Sequence, residues 1–263
     1  MPLNFSRSLT GMDRTPEGNA RLGYGLAFVA GATNAGAYLA VRQYTSHMTG
    51  VLSSLADALA LHQWIAAGAA FGALAAFLIG AACSAVLVVF ARRHRMHSAF
   101  ALPLLLEALL LLTFGLLGAR LATFRGVFLP VTVMLLCFTM GLQNALISKI
   151  SHSVIRTTHV TGMLTDLGVE CGRAVYWNRQ NDALDGPVRA NHERMRILSL
   201  LISSFFCGGV LGAIGFQHVG YITTVPLAAL LLFFAFAPLF DDLAHARHRL
   251  TLSVNRWRWL RRG

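Results

Sequence analysis

A five-residue pattern, Thr/Ser-His-x-Thr-Gly, occurs twice in this chain, as Ser46-His47-Met48-Thr49-Gly50 and as Thr158-His159-Val160-Thr161-Gly162. Histidines in matched positions can relay protons, hydrogen-bond a solute or ligate a metal. Two alone make a poor metal site, since zinc normally takes three or four protein ligands. The bland alternative is an imidazole bonded to a nearby carbonyl that fixes a turn. Hydroxyls of Thr45, Thr49, Thr158 and Thr161 can cap a helix starting at the motif, and Gly50 and Gly162 allow close approach or unusual backbone angles. A helix beginning there offers its positive end to an anion. Asn34 and Asn144 match as well, in Gly31-Ala-Thr-Asn34-Ala and Gly141-Leu-Gln-Asn144-Ala, and their amides can bridge helices or line a pore. Arg156 stands two residues before the second motif and is suited either to an anionic solute or lipid headgroup, or to plain topological duty. Glu107, in LLLEALLLL, and Asp166 are the candidates for carrying a coupling proton. Asp166 aligns with Ser54 rather than with Asp57, so no symmetric acid pair results.

The remaining chemistry is thin. There is no HExxH, P-loop, GxGxxG or nucleophile elbow, which argues against an enzyme. Cys83, Cys137, Cys171 and Cys207 stand singly, without CxxC spacing, so no cofactor or metal is expected.

These residues must be positioned by membrane helices. In the 263-residue chain 56% of residues are hydrophobic and 13% charged, against about 25% charged in soluble domains. Six apolar segments near 22–41, 64–90, 101–119, 127–148, 196–216 and 219–240 approach the roughly 20 residues that span a bilayer. The apolar run after each motif is too short to cross, so a re-entrant or short half-helix is expected there. With the N-terminus inside, 19 of the 22 Lys and Arg residues fall on the cytoplasmic side, as the positive-inside rule requires. The net charge of +11 therefore reports orientation rather than nucleic-acid binding.

An odd number of spans separates the two copies, so they enter the bilayer in opposite directions. The expected architecture is an all-α polytopic membrane protein with six transmembrane helices and two half-helices, arranged as an inverted repeat of three spans each. Residues 1–21 form a cytoplasmic segment, 22–119 the first repeat, 120–240 the second, and 241–263 a basic amphipathic tail suited to anionic lipids. Gly- and Ala-rich faces on the second and fifth spans permit close helix packing, and a homodimer is compatible with them.

The chain resembles the YoaK-like family of bacterial inner-membrane proteins, whose shared domain has no known function. The likeness rests on GATNAGAYLA and SHMTG in the first half and MGLQNALISKISHSVIRTTHVTGMLTDLG in the second. It implies a six-span protein of the bacterial cytoplasmic membrane and brings no substrate or cofactor.

The functional expectation is a transporter or channel for a small solute, an anion or small polar metabolite, passing between inverted motifs. Asn34, His47, Thr49, Gly50, Asn144, Arg156, Thr158, His159, Thr161 and Gly162 would contact it, with Glu107 or Asp166 carrying a proton. The alternative is a non-transporting membrane scaffold or stress-related protein binding lipids or partner proteins.

Overall fold

The computed structural model describes residues 16–94, 96, 100–121, 125–151, 156–176 and 188–236. The expected amphipathic tail at 241–263, the last four residues of the expected sixth span and most of the N-terminal segment lie outside them. Among the described residues the fold is entirely helical. Eight helices follow in order: α1 (Pro16–Val41), α2 (Met48–Ala60), α3 (Trp64–Arg93), α4 (Ala101–Leu121), α5 (Arg125–Ile150), α6 (Val160–Val175), α7 (His192–His218) and α8 (Gly220–Phe236). A turn of 3-10 helix, Gly220–Thr223, opens α8.

Five of these helices, α1, α3, α4, α5 and α7, are long and apolar enough to cross a membrane. The 30 residues of α3 rise about 45 Å at 1.5 Å per residue, beyond a hydrocarbon core of about 30 Å. By contrast α2 has 13 residues and α6 has 16. The outer face of α3 carries Ile65, Phe71, Leu78, Ile79 and Val86, all exposed. Such a face suits lipid, where apolar side chains need no cover.

The helices pack in a pattern that recurs. α1 lies along α7, α3 lies along α5, α2 packs on α3 and α6 packs on α7. Each long pair is closed by the same four-residue device, Phe-x-x-Gly. Phe28-Val-Ala-Gly31 on α1 faces Phe205-Phe-Cys-Gly208 on α7, and Phe138-Thr-Met-Gly141 on α5 faces Phe77-Leu-Ile-Gly80 on α3. A Cβ on Gly31 would strike the Phe205 carbonyl oxygen, and one on Gly208 the Phe28 carbonyl. Likewise a Cβ on Gly141 would strike the Phe77 carbonyl and one on Gly80 the Phe138 carbonyl. The missing side chains let the backbones touch, the usual way membrane helices gain dispersion contact without a hydrophobic drive.

The main core joins α1, α4, α5, α7 and α8 around Leu22, Leu26, Leu104, Leu111, Phe114, Leu146 and Leu231. A small second cluster of Val51, Ala73 and Cys137 lies beneath α2. Polar ties between α1 and α5 run from Gln143 Nε2 to the Leu26 carbonyl at 3.0 Å and from Asn19 Nδ2 to the Ile150 carbonyl at 3.4 Å.

Candidate functional site

The two motifs are the entry turns of the two short helices. After α1 ends, Thr45 and Ser46 lead into His47, the N-cap residue of α2; before α6, Thr157 and Thr158 lead into His159, its N-cap. The cap backbones are nearly the same, with φ/ψ of −90°/66° at His47 and −86°/57° at His159. Each segment is tied back to the preceding long helix by one asparagine. Asn34 Nδ2 donates to Ser46 Oγ at 2.5 Å, and Thr158 Oγ1 donates to Asn144 Oδ1 at 2.6 Å. Directly before these hydroxyl residues, Thr45 and Thr157 are both fully buried, and neither hydroxyl has a partner among the described residues.

The expected hydroxyl caps are not formed. Neither α2 nor α6 has a side-chain cap bond. The physical reason is competition: Thr158 is drawn to Asn144, Thr45 points into the packed interior, and Thr49 and Thr161 lie inside the first turn, past the capping position. The first intrahelical bonds run from Val51 to His47 and from Met163 to His159, both 3.1 Å. The amides of residues 48–50 and 160–162 therefore precede the hydrogen-bond ladder, as at every helix start.

The motif glycines have one clear task. A Cβ on Gly50 would fall on the His47 ring, and one on Gly162 would lie 2.6 Å from His159 Nδ1. Each glycine thus makes room for the imidazole to fold back over the first helical turn. Close approach, rather than an unusual backbone angle, is what these positions require.

Both motifs open on one cavity of about 840 Å³. Its walls include Asn34, His47 and Thr49 from the first copy and Asn144, Arg156, Thr158, His159 and Thr161 from the second. Eight of the ten residues expected to contact a solute are thereby brought together. Gly162 sits behind His159, and Gly50 faces a neighbouring cavity of about 650 Å³ between α2, α3 and α5, which shares His47 and Tyr44 with the first. Arg156 Nη1 lies 3.3 Å from His159 Nδ1, placing a guanidinium donor against the ring. That contact needs an unprotonated Nδ1, since arginine only donates.

The two carboxylates expected to carry a proton do not line the cavity. Glu107 is fully buried in α4, with no hydrogen-bond partner for either carboxyl oxygen among the described residues. Asp166, on α6, is paired with Arg194 of α7 at 2.9 Å, each half exposed. One turn further on, Glu170 is buried. It accepts from Arg173 Nη1 at 3.1 Å and from the Asn191 backbone amide at 2.9 Å. This carboxylate pins α6 to the start of α7.

Sequence reasoning missed the aromatic part of the walls, Phe77, Phe205 and Tyr44, along with Ser46 and Ser148. Of the Phe-x-x-Gly phenylalanines at these crossings, Phe77 and Phe205 face the cavity while Phe28 and Phe138 are not in its walls, so the pattern by itself does not mark the lining.

A chain whose described residues form helices, five of them apolar and of crossing length, is a multi-pass membrane protein. It belongs to the family described as protein of unknown function (DUF1275), which matches residues 22–237. No curated protein and no solved structure matches the chain.

Proposed function

We propose that this protein is a small transporter or channel of the bacterial inner membrane, with the solute passing through the cavity between the two motifs. It has six spans and cytoplasmic termini, α8 being the sixth span and α2 and α6 re-entrant half-helices. The two halves are inverted repeats. What supports the repeat is the recurrence of contacts: Phe28/Gly31 with Phe205/Gly208 and Phe138/Gly141 with Phe77/Gly80 exchange places when the halves are swapped, as do Asn34–Ser46 and Asn144–Thr158. Charge placement supports the orientation. Transporters of inverted-repeat design hold their substrate between the repeats, near broken or short helices.

The single observation that carries this reading is the cavity reached from both motifs, with both histidines in its walls. A protein using its repeats only to fold has no need to surround polar side chains with open space. A coupling role for Glu107 or Asp166 would be exerted from outside that space. Anionic lipid, attracted by the basic residues after 240, is the only other partner this reading needs, and a homodimer is compatible with it.

Osmotic swelling of proteoliposomes in a panel of small polar solutes tests it, with His47→Ala/His159→Ala as comparison. Permeation of at least one solute that falls with the double variant is expected. Identical swelling of wild type, variant and empty liposomes across the panel overturns transport and leaves a non-transporting membrane component.

A further inference from the structure

We infer that the cavity selects a small, singly charged carboxylate and that Arg156 recognises its charge. This rests on reading the cavity as the solute path and adds the substrate class. The cavity walls are nearly two-fold in chemistry: Asn34 answers Asn144, Ser46 answers Thr158, His47 answers His159, Thr49 answers Thr161 and Phe77 answers Phe205. The pairing breaks in charge at one place. Arg156 stands where the other half has Tyr44. Tyr44 stacks on Tyr38 with ring centroids 4.9 Å apart, and the Arg42 guanidinium lies 5.9 Å over the Tyr38 ring. That end carries aromatic rings and brings no charge into the walls.

Arg156 is thus the one permanently charged side chain among the described residues lining the cavity, and no carboxylate among them opposes it. One contact is already made, to His159 Nδ1. It holds the guanidinium in place and leaves further N–H donors of its five free to engage a ligand. The planar fork matches a carboxylate in two parallel bonds. A second negative charge on the solute would meet no second side-chain cation in these walls. The starts of α2 and α6 add their positive ends from both sides. Asn34, in the same wall, is nine-tenths buried and is held by its bond to Ser46. A volume of about 840 Å³ lies within the range of about 300–1,000 Å³ common for small-molecule sites.

The matched pair lactate and lactamide tests this, since they differ in charge and hardly in shape. Thermal unfolding of the full-length protein in detergent is followed against each. Lactate is expected to raise the midpoint in a saturable way, because a ligand that binds only the folded state stabilises it. Lactamide should bind at least about tenfold more weakly, the scale of one charge-assisted contact. Arg156→Gln should bring lactate down to the lactamide level, while Arg156→Lys keeps part of the preference. If Arg156→Gln does not fold, Tyr44→Arg gives an independent reading. A second cation at the matched position should shift the preference from lactate towards the dicarboxylate malate. Equal binding of lactate and lactamide, lactate binding unmoved in Arg156→Gln, or no stabilisation by either overturns the assignment. Flux separates this failure from failure of the path itself. Histidine-dependent lactamide permeation with no preference for lactate removes only the anion class, whereas Arg156-dependent lactate binding without histidine-dependent flux removes only transport.

Discussion

Asn34 donates its side-chain amide to Ser46 Oγ at 2.5 Å, across the break between α1 and α2. The same tie recurs between Asn144 and Thr158 at 2.6 Å across the break between α5 and α6. In each case a long helix ends, a short non-helical stretch follows, and one side-chain amide on the helix bonds the hydroxyl that precedes the histidine. The histidine is thereby placed at the helix start and not further along the loop. Non-helical backbone at membrane depth is tolerated only where protein or a watery cavity surrounds it, and under the re-entrant reading proposed above these ties are what hold that backbone in place.

Each tie should be measurable on its own. Asn144→Ala and Thr158→Val should each destabilise the folded protein by about 0.5–1.5 kcal/mol, the usual net worth of one hydrogen bond. The double variant should lose less than the two single losses added together, since the second substitution removes a bond already gone. Reversible unfolding in mixed micelles reads this, and strict additivity would mean the 2.6 Å contact contributes nothing. Asn34→Ala should behave like Asn144→Ala to within about 1 kcal/mol if the two breaks are built alike.

The glycine crossings make a sharper demand. Gly31→Ala and Gly141→Ala each drive a methyl into a backbone carbonyl that cannot rotate away. Overpacking at such a site costs about 1–3 kcal/mol. Gly68→Ala and Gly168→Ala are the comparison, because a Cβ at either meets nothing within 4 Å. In a helix interior those two changes should be neutral or stabilising by up to about 1 kcal/mol. Equal thermal midpoints for all four variants would refute the close approach of α1 to α7 and of α5 to α3.

The helical class and the long apolar helices were legible because hydropathy over some 20 residues is a strong pattern that local detail cannot disguise. The shortness of α2 and α6 was legible for the same reason: the apolar runs after Gly50 and Gly162 end too soon. Partners were not legible. Matching Asn34 to Asn144 and Ser46 to Thr158 along the sequence does not say that an asparagine and the hydroxyl 12 or 14 residues later touch. Nor does sequence say that Thr158 prefers Asn144 to a capping bond, since both choices satisfy the hydroxyl. Nothing in the sequence singles out Phe77 or Phe205, because a phenylalanine beside a packing glycine looks the same whether lipid or a cavity lies beyond it.

Glu170 and Asp166 sit on one helix, yet they should respond differently to neutralisation. Asp166→Asn removes an ion pair whose partners are both 49% exposed, and such pairs are worth about 0–1 kcal/mol. Glu170 has a side chain only 2% exposed and accepts the Asn191 amide as well as Arg173. Glu170→Ala leaves that amide without its acceptor and loosens α6 from α7, at a cost of about 1–3 kcal/mol. Glu170→Gln keeps an acceptor oxygen and should recover part of the loss. Thermal unfolding of the three variants is the check, and a larger effect at Asp166 would reverse the assignment.

Water access is the remaining test of how the two half-helices sit. In a variant with Cys83, Cys137, Cys171 and Cys207 replaced by alanine, single cysteines at Thr49 and Thr161 should both react with a membrane-impermeant thiol reagent, because both residues are exposed and line the cavity. A cysteine at Glu107, fully buried among the helices, should stay silent. With inverted half-helices, Thr49→Cys reacts from outside the cell and Thr161→Cys from inside. Reaction of both from one side removes the inversion while leaving the cavity. Silence at both, in protein that still unfolds cooperatively, means that the space between His47 and His159 is closed to water, and the transport reading falls with it.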